Sequence, residues 1–596
     1  MILTTLDWTI IAAYFLFNLG IGLYYARRAG RNTQEFFLSG RDVPWWLAGT
    51  SMVATTFAAD TPLVVTGLVV SYGIAGNWLW WSMAASGILT VFLYARLWRR
   101  AGVMTDVEFA ELRYSGRPAA VLRGFRALYL GIPINCIVLG WVNLAMLKIL
   151  MATLGLERNA ALLVLLGILA FTAFYTTISG LWGVLVTDLF QFALKMAMVI
   201  LLAILAVRAV GGVDALQTKI AALDASRGAG SRLAFFPARG SAWMPAITFF
   251  VYLAVNWWAS WYPGAEPGGG GYVAQRIFSA KDERHGLLAT LWFNVAHYAL
   301  RPWPWILTAL ATIVLYPDLS DREAGYIKAL IDPAVFPPAL RGFMLAAFAA
   351  AYMSTIGTQL NWGASYIIND WYRRFVVRNA VERHYIVASQ LCTLGLTAIS
   401  LGVTLQLDTI AGAWKLLIVT GAGTGTVLLL RWYWWRINAW SEVSAMVAAA
   451  AVSLTLQIRW RWNSDDPEQF AWLMLVTVSV TTMAWMLVTL ATKPEPTATL
   501  VAFYRRVRPA GPGWAPVAAV AGVPPARESL ARSLIAWVLG CVLIYALLFG
   551  IGLLILGPRL VGGALITAAL ASGALILRVF EPETNALDAS PAPGSA

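Results

Sequence analysis

Charge is what this chain has least of. Asp, Glu, Lys and Arg make up 12% of its 596 residues and apolar types 59%, against about 25% and 45–50% in soluble domains. A soluble globular protein is excluded. Cysteine is also sparse: Cys136, Cys392 and Cys541 each lie in an apolar run, which leaves no disulfide framework and no CxxC metal site. Histidine is as rare, and His285, His297 and His384 are too scattered for an HExxH or His-rich centre. There is no GxxxxGK[ST] loop for a nucleotide and no nucleophile–base pairing, so an enzyme is not expected. The first apolar run lacks a basic leader and a small-residue cleavage site, and is expected to stay as a helix.

What the chain has in quantity is long apolar runs. Mean hydropathy is +0.68, and runs of about 20 residues, enough to cross about 30 Å of hydrocarbon, recur about 15 times. Stretches such as Ala160 to Thr177 do not alternate, which excludes a β-barrel. The expected class is an all-α polytopic membrane protein. With the N-terminus outside, most of the 43 Lys and Arg fall in inner segments. The excess over 30 Asp and Glu is then topology rather than a nucleic-acid surface. The tail after Glu581 is polar and is expected to be disordered.

Two of the runs are interrupted. The second span, at about 45–70, carries FAADTP, with Asp60 and Pro62 inside an otherwise apolar stretch. Proline removes a helix hydrogen bond and a carboxylate is costly in lipid. The seventh span, at about 242–263, ends in NWWASWYP and runs into EPGGGG. The two stand five spans apart, and an odd interval reverses orientation. Spans 2–6 and 7–11 therefore read as inverted repeats, each opened by a broken helix, the pattern of a secondary transporter's central site. Ordinary proline kinks are the alternative.

The ninth span, at about 340–369, holds small residues from Ala346 to Gly357 and adjacent hydroxyls at Ser354 and Thr355. Two hydroxyls, helix carbonyls and the freed carbonyls of a broken helix would suit a dehydrated Na⁺, a hard cation. Ser and Thr that merely join helices are the competing reading. In LWGVLVTDLFQ, Asp188 and Gln191 share a helix face near the inner surface, as an exit ligand for a cation or as an aspartate wetted by headgroup water. Lys195 lies one turn beyond Gln191 on that face. It could pair with Asp188 only by reaching back two turns, and it takes no role from the sequence.

SMVATTFAADTPLVVTG, SGLWGVLVTDLFQ, YVAQRIFSAKD and AAYMSTIGTQLN together resemble the sodium:solute symporter family, of LeuT-like fold. The resemblance implies a LeuT-like 5+5 inverted-repeat core with one extra N-terminal helix and about four C-terminal helices. The expected layout is an N-terminal helix and inner loop (1–44), first repeat (45–209), extracellular loop (210–241) and second repeat (242–436). Two accessory helices (437–491), a cytoplasmic linker (492–530), two C-terminal helices (531–580) and the disordered tail (581–596) follow. It further implies Na⁺ as coupling ion, held by the hydroxyls of Ser354 and Thr355 and the carbonyls of Ala351, Phe57 and Asp60, with Ala58 as an alternative register. Asp188 and Gln191 would line the inner cation route. Asp60 is unusual for the family at that depth: it could join the ion site, pair with a neighbour or accept a proton.

Solute in this architecture sits beside the two breaks. Thr61, Asn256, Trp257, Trp258, Ser260, Trp261 and Tyr262 are the candidate lining, with Trp78, Trp81 and Trp141 behind them. Aromatics with a few amides and hydroxyls suit a sugar face or an organic cation, although Trp and Tyr also populate membrane interfaces. The expected activity is Na⁺-coupled symport of a small polar or cationic organic solute by alternating access. A proton-coupled symporter using Asp60, or a transporter-like sensor or channel, is the alternative. The expected partners are the small-molecule solute and the lipid bilayer, with no nucleic acid and no required protein. The expected place is a multi-pass position in a bacterial-type inner membrane, N-terminus outside and C-terminus inside.

Overall fold

The computed structural model describes residues 3–227, 230–260, 264–407, 414, 421–524, 526 and 528–588. Among these, eleven helices are long and apolar enough to cross a membrane, or twelve if one bent pair is counted as a span. The sequence led to about 15, and the difference has local causes. Two expected spans, 160–179 and 182–207, run together as one helical element of 53 residues, Arg158–Val210. At 1.5 Å per residue it is about 80 Å long, more than twice the hydrocarbon thickness, so it is two crossings joined at a bend. The joint is Gly180, with φ 56° and ψ −157°. A Cβ there would lie 2.7 Å from the Phe36 carbonyl oxygen, so only glycine fits. The seventh span is shorter than expected, its helix covering Ala246–Ala259. Much of the expected eleventh, 409–435, lies outside the described residues, and Gly425–Leu430 is its described helix.

Two compact units make up the chain. The first takes residues 1–81, 126–246 and 300–416. Its main helices are α1 (Thr5–Ala29), α2 (Trp45–Thr56), α3 (Thr61–Tyr72), α4 (Asn135–Leu154), α5 (Arg158–Val210), α6 (Pro302–Leu315), α7 (Arg341–Ser365) and α8 (Glu382–Thr404). α5 packs against α1, α2, α6 and α7, and so forms the centre of the unit. Close approach of α5 and α7 depends on small residues: a Cβ at Gly357 would come within 3.0 Å of the Thr176 hydroxyl and 3.3 Å of the Tyr175 hydroxyl. α1 starts with a capping box between Thr4 and Asp7, and Asp7 also accepts the Gly342 amide at 2.8 Å, tying α1 to the start of α7.

The second unit takes residues 82–125, 247–299 and 417–596. Its long helices are Ala439–Leu454, Pro467–Ala491, Leu530–Leu556 and Arg559–Asp588. The expected linker at 492–530 includes helices Thr497–Val507 and Ala515–Ala521. Buried here is an ion pair, Arg431 to Glu442 at 3.1 Å, whose carboxylate also accepts the Tyr114 hydroxyl at 2.6 Å.

Candidate cation site

The break in the first unit follows from four residues. α2 ends at Thr56, Phe57 leaves the helical region at φ −95° and ψ 68°, and α3 begins at Thr61 with Pro62 in its first turn. Proline has no N–H to give to the preceding turn, so α2 cannot continue into α3, and the two are bent by 58°. The Val53 and Ala54 carbonyls share the Phe57 amide at 3.0 and 3.2 Å, and the last carbonyls of α2 carry the negative end of its dipole.

Side chains from three other helices meet those carbonyls. From α5, the Lys195 ammonium donates to the Ala54 carbonyl at 2.7 Å and the Phe57 carbonyl at 3.0 Å. It also donates to the Ser354 hydroxyl of α7 at 2.9 Å. Ser354 in turn donates to the Ala54 carbonyl at 3.0 Å. Thr355 donates to the Thr55 carbonyl at 2.7 Å and the Ala351 carbonyl at 3.2 Å. Arg301, at the start of α6, reaches the Thr56 hydroxyl at 3.0 Å and the Val53 carbonyl at 3.3 Å. Lys195 is 1% exposed, and its nitrogen lies 4.9 Å from the centre of the Phe57 ring, within cation–π range.

Of the five residues expected to hold sodium, Phe57 and Ser354 meet at Lys195, and the Ala351 carbonyl accepts from both Ser354 and Thr355 one turn along α7. Asp60 is at the same break but its carbonyl accepts the Val64 amide at 2.9 Å as the first turn of α3 forms. The Ala54 carbonyl, which the sequence reading did not single out, accepts from both Lys195 and Ser354. The oxygens of Ala54, Phe57, Ala351, Ser354 and Thr355 are all neutral and hard, a donor set suited to an alkali cation. Among the described residues no group of three His, Cys, Asp or Glu gathers that could hold a metal. On three of these oxygens, those of Ala54, Phe57 and Ser354, the structure shows the chain's own lysine. A second unit charge about 3 Å from it would be repelled by roughly 5 kcal/mol at an effective dielectric constant of 20.

Asp188 and Gln191 lie on the α5 face that leads to Lys195. Asp188 is fully buried and accepts the Ser51 hydroxyl of α2 at 2.6 Å. Gln191 donates to the Tyr14 hydroxyl at 2.9 Å and to Asn18 Oδ1 at 2.8 Å, both on α1. Both are buried inside the helix packing.

The candidate solute residues fall in both units. In the first, Thr61 donates to the Thr56 carbonyl at 3.4 Å. In the second, Ser260 leaves the helical region with ψ 143°, which ends the Ala246–Ala259 run. Its hydroxyl donates to Asn256 Oδ1 at 3.1 Å. The Ala259 carbonyl freed by that break accepts the Gly423 amide at 2.9 Å. The Trp257 and Trp258 indoles donate to carbonyls of their own helix, at 3.0 and 2.6 Å, and Trp257 packs on Trp537 with ring centres 5.5 Å apart. Trp261 and Tyr262 lie outside the described residues. Beyond them Gly268 and Gly269 adopt φ near 80°, and Gly269 closes onto the Glu266 carbonyl at 2.8 Å before the helix Gly271–Ser279 begins.

Sequence reading missed Lys195, Arg301 and Ala54. The signal for the first was present: a lone ammonium in the apolar run QFALKMAMVILL must find oxygen partners inside the protein.

Residues 36–449 match the family model described as the sodium:solute symporter family. The sodium/mannose cotransporter of Bos taurus is 24% identical over 430 residues, which is 67% of this chain and 68% of that one. A sodium/glucose cotransporter of Vibrio parahaemolyticus is 22% identical over 473 residues, 75% of this chain and 84% of that one. For sodium/glucose cotransporter 1 of Oryctolagus cuniculus the figures are 25% over 432 residues, and the chain spans only 62% of that protein's length. A solved structure of a Na⁺-coupled sialic acid symporter, in a substrate-bound outward-open state, superposes with TM-score 0.66 at 18% identity, covering 83% of this chain and 99% of that one. The fold is therefore the LeuT-like one expected from the sequence.

Proposed function

This chain belongs to the sodium:solute symporter family, and from that premise we propose that it is a multi-pass membrane carrier performing Na⁺-coupled symport of a small polar or cationic organic solute. Membership of a family of transporters speaks against an enzyme. The observation that carries the reading is the meeting of the α2–α3 break with Ser354 and Thr355 of α7, whose hydroxyls donate to the Ala54 and Thr55 carbonyls at the end of α2. Binding there would brace α2 against α7, and loosening would release the ion toward Asp188. The candidates for solute contact are Thr61 at the first break and Asn256, Trp257, Trp258, Ser260, Trp261 and Tyr262 at the second. Several aromatics with few charges suit a sugar face, as in the sugars named for the relatives, or an organic cation.

The energetics suffice without ATP. One Na⁺ moving through about 100 mV supplies about 2.3 kcal/mol, and a tenfold gradient adds about 1.4. Their total supports a solute ratio of several hundredfold at 1:1 stoichiometry. A bacterial-type inner membrane with the N-terminus outside and the C-terminus inside goes with this reading, supported by the skew of Lys and Arg toward one set of loops. The test is a solute screen by thermal shift, with Na⁺ and with choline, followed by uptake into proteoliposomes. Solute and Na⁺ should each tighten binding of the other. A solute that binds and accumulates equally in choline overturns sodium coupling.

A further inference from the structure

We propose that Lys195 is a tethered competitor for the coupling cation: its ammonium and Na⁺ occupy the same oxygens in turn. The inference rests on reading Ala54, Phe57, Ala351, Ser354 and Thr355 as the sodium cage. Three of those oxygens accept hydrogen bonds from Lys195 at 2.7, 3.0 and 2.9 Å. An ammonium makes at most three hydrogen bonds, so the lysine is fully satisfied in this seat. Sodium can enter only by displacing it.

The surroundings limit where the lysine can go. The cavity beside it, lined by Phe57, Pro62, Val199, Met344, Phe348 and Ala351 among others, measures about 10 Å³. That is room for about one water, too little for the side chain to retreat into. The charged groups facing Lys195 are Asp188, two turns back on the same helix, and Arg301 from α6. Arg301 repels it and is itself held on α2 by Val53 and Thr56. Asp188 attracts it. With Na⁺ in the cage, the ammonium swings back along α5 toward Asp188, and with Na⁺ gone it returns to close the cage. The lysine thus stands in for the ion between turnovers and keeps the break braced against α7.

The experiment measures Na⁺ binding to the purified full-length protein, by radioactive Na⁺ and by thermal shift against choline. The variants are Lys195→Met, Lys195→Gln and each combined with Ser354→Ala. A competitor that occupies the cage for 90% of the time weakens apparent affinity about tenfold. Removing it should therefore lower the half-saturating Na⁺ by about tenfold or more, and adding Ser354→Ala should reverse the gain. Unchanged or weaker Na⁺ binding in both neutral variants overturns the proposal. If neither folds, ¹⁵N NMR of the lysine ammonium groups in the unsubstituted protein decides: Na⁺ should move the buried Lys195 signal relative to choline, and an unmoved signal overturns the proposal. The two readings can fail separately. Sodium-independent accumulation by the unsubstituted protein, with Ser354-dependent Na⁺ binding in Lys195→Met, keeps the competitor and removes sodium coupling. Sodium-dependent accumulation with unaltered affinity in Lys195→Met does the reverse.

Discussion

Thr355→Val is the cleanest perturbation of the break, because valine keeps the shape and removes only the hydroxyl. That hydroxyl sits 2.7 Å from the Thr55 carbonyl, at a residue 4% exposed. Thr55 is in the last turn of α2, and with no helix beyond Thr56 its carbonyl relies on this donor. Leaving a buried acceptor unmet costs about 1–3 kcal/mol. If the same hydroxyl is also an ion ligand, that range corresponds to a loss of about 5- to 150-fold in Na⁺ affinity. Thr355→Ser keeps the oxygen and should lie within about twofold of the unsubstituted protein. The assay is the Na⁺ concentration giving half-maximal uptake in proteoliposomes, with thermal unfolding as a check on folding. Equal behaviour of the valine and serine variants would refute the assignment and the ledger behind it.

Further expectations follow from other sites. Gly180→Ala places a Cβ 2.7 Å from the Phe36 carbonyl at a φ of 56°, and should cost roughly 2 kcal/mol or more, seen as a lower unfolding midpoint; an unshifted midpoint counts against the close joint. Arg431→Met strands the buried Glu442 carboxylate and should destabilise by about 3–5 kcal/mol, while the pair Arg431→Met with Glu442→Gln should recover most of the loss. Asp188→Asn weakens the 2.6 Å bond from Ser51 and removes the anion facing Lys195. Uptake should slow at least about tenfold, since hydrogen bonds to charged groups contribute roughly 1.5–3 kcal/mol; a normal rate would dismiss its place on the ion route.

Most of the fold could be read from the sequence because each cue is local. Pro62 after an apolar run breaks a helix wherever it stands, and the alanines around Ala350 permit close packing whatever the neighbour. The boundary between the spans at 160–179 and 182–207 fell at Gly180, where the helix breaks its φ/ψ; what the sequence did not carry is that helical hydrogen bonding continues almost unbroken across that joint. At the site, Ser354 and Thr355 were legible as an adjacent hydroxyl pair, whereas the carbonyl donors depend on where α2 loses its helical hydrogen bonds. The Phe57 and Ala54 carbonyls meet Lys195, whereas the Asp60 carbonyl accepts the Val64 amide in the first turn of α3. The lone ammonium of Lys195 in an apolar run signalled a need for buried partners, but which ones was hidden because they lie 141, 138 and 159 residues away in the chain, while helical spacing relates it only to Gln191 and Asp188.

The bend at Gly180 bears on where this carrier can move. Its backbone is wedged against Phe36 and Ala29, with a virtual Cβ 2.7 Å and 3.1 Å from them, so the bend is a filled elbow rather than a free hinge. Two crossings welded at such an elbow swing as one lever. Whatever rearrangement opens the cage must then be absorbed by the uncoiled stretch from Phe57 to Asp60, and slackening or stiffening that short strap, rather than the elbow, should set the pace of the cycle.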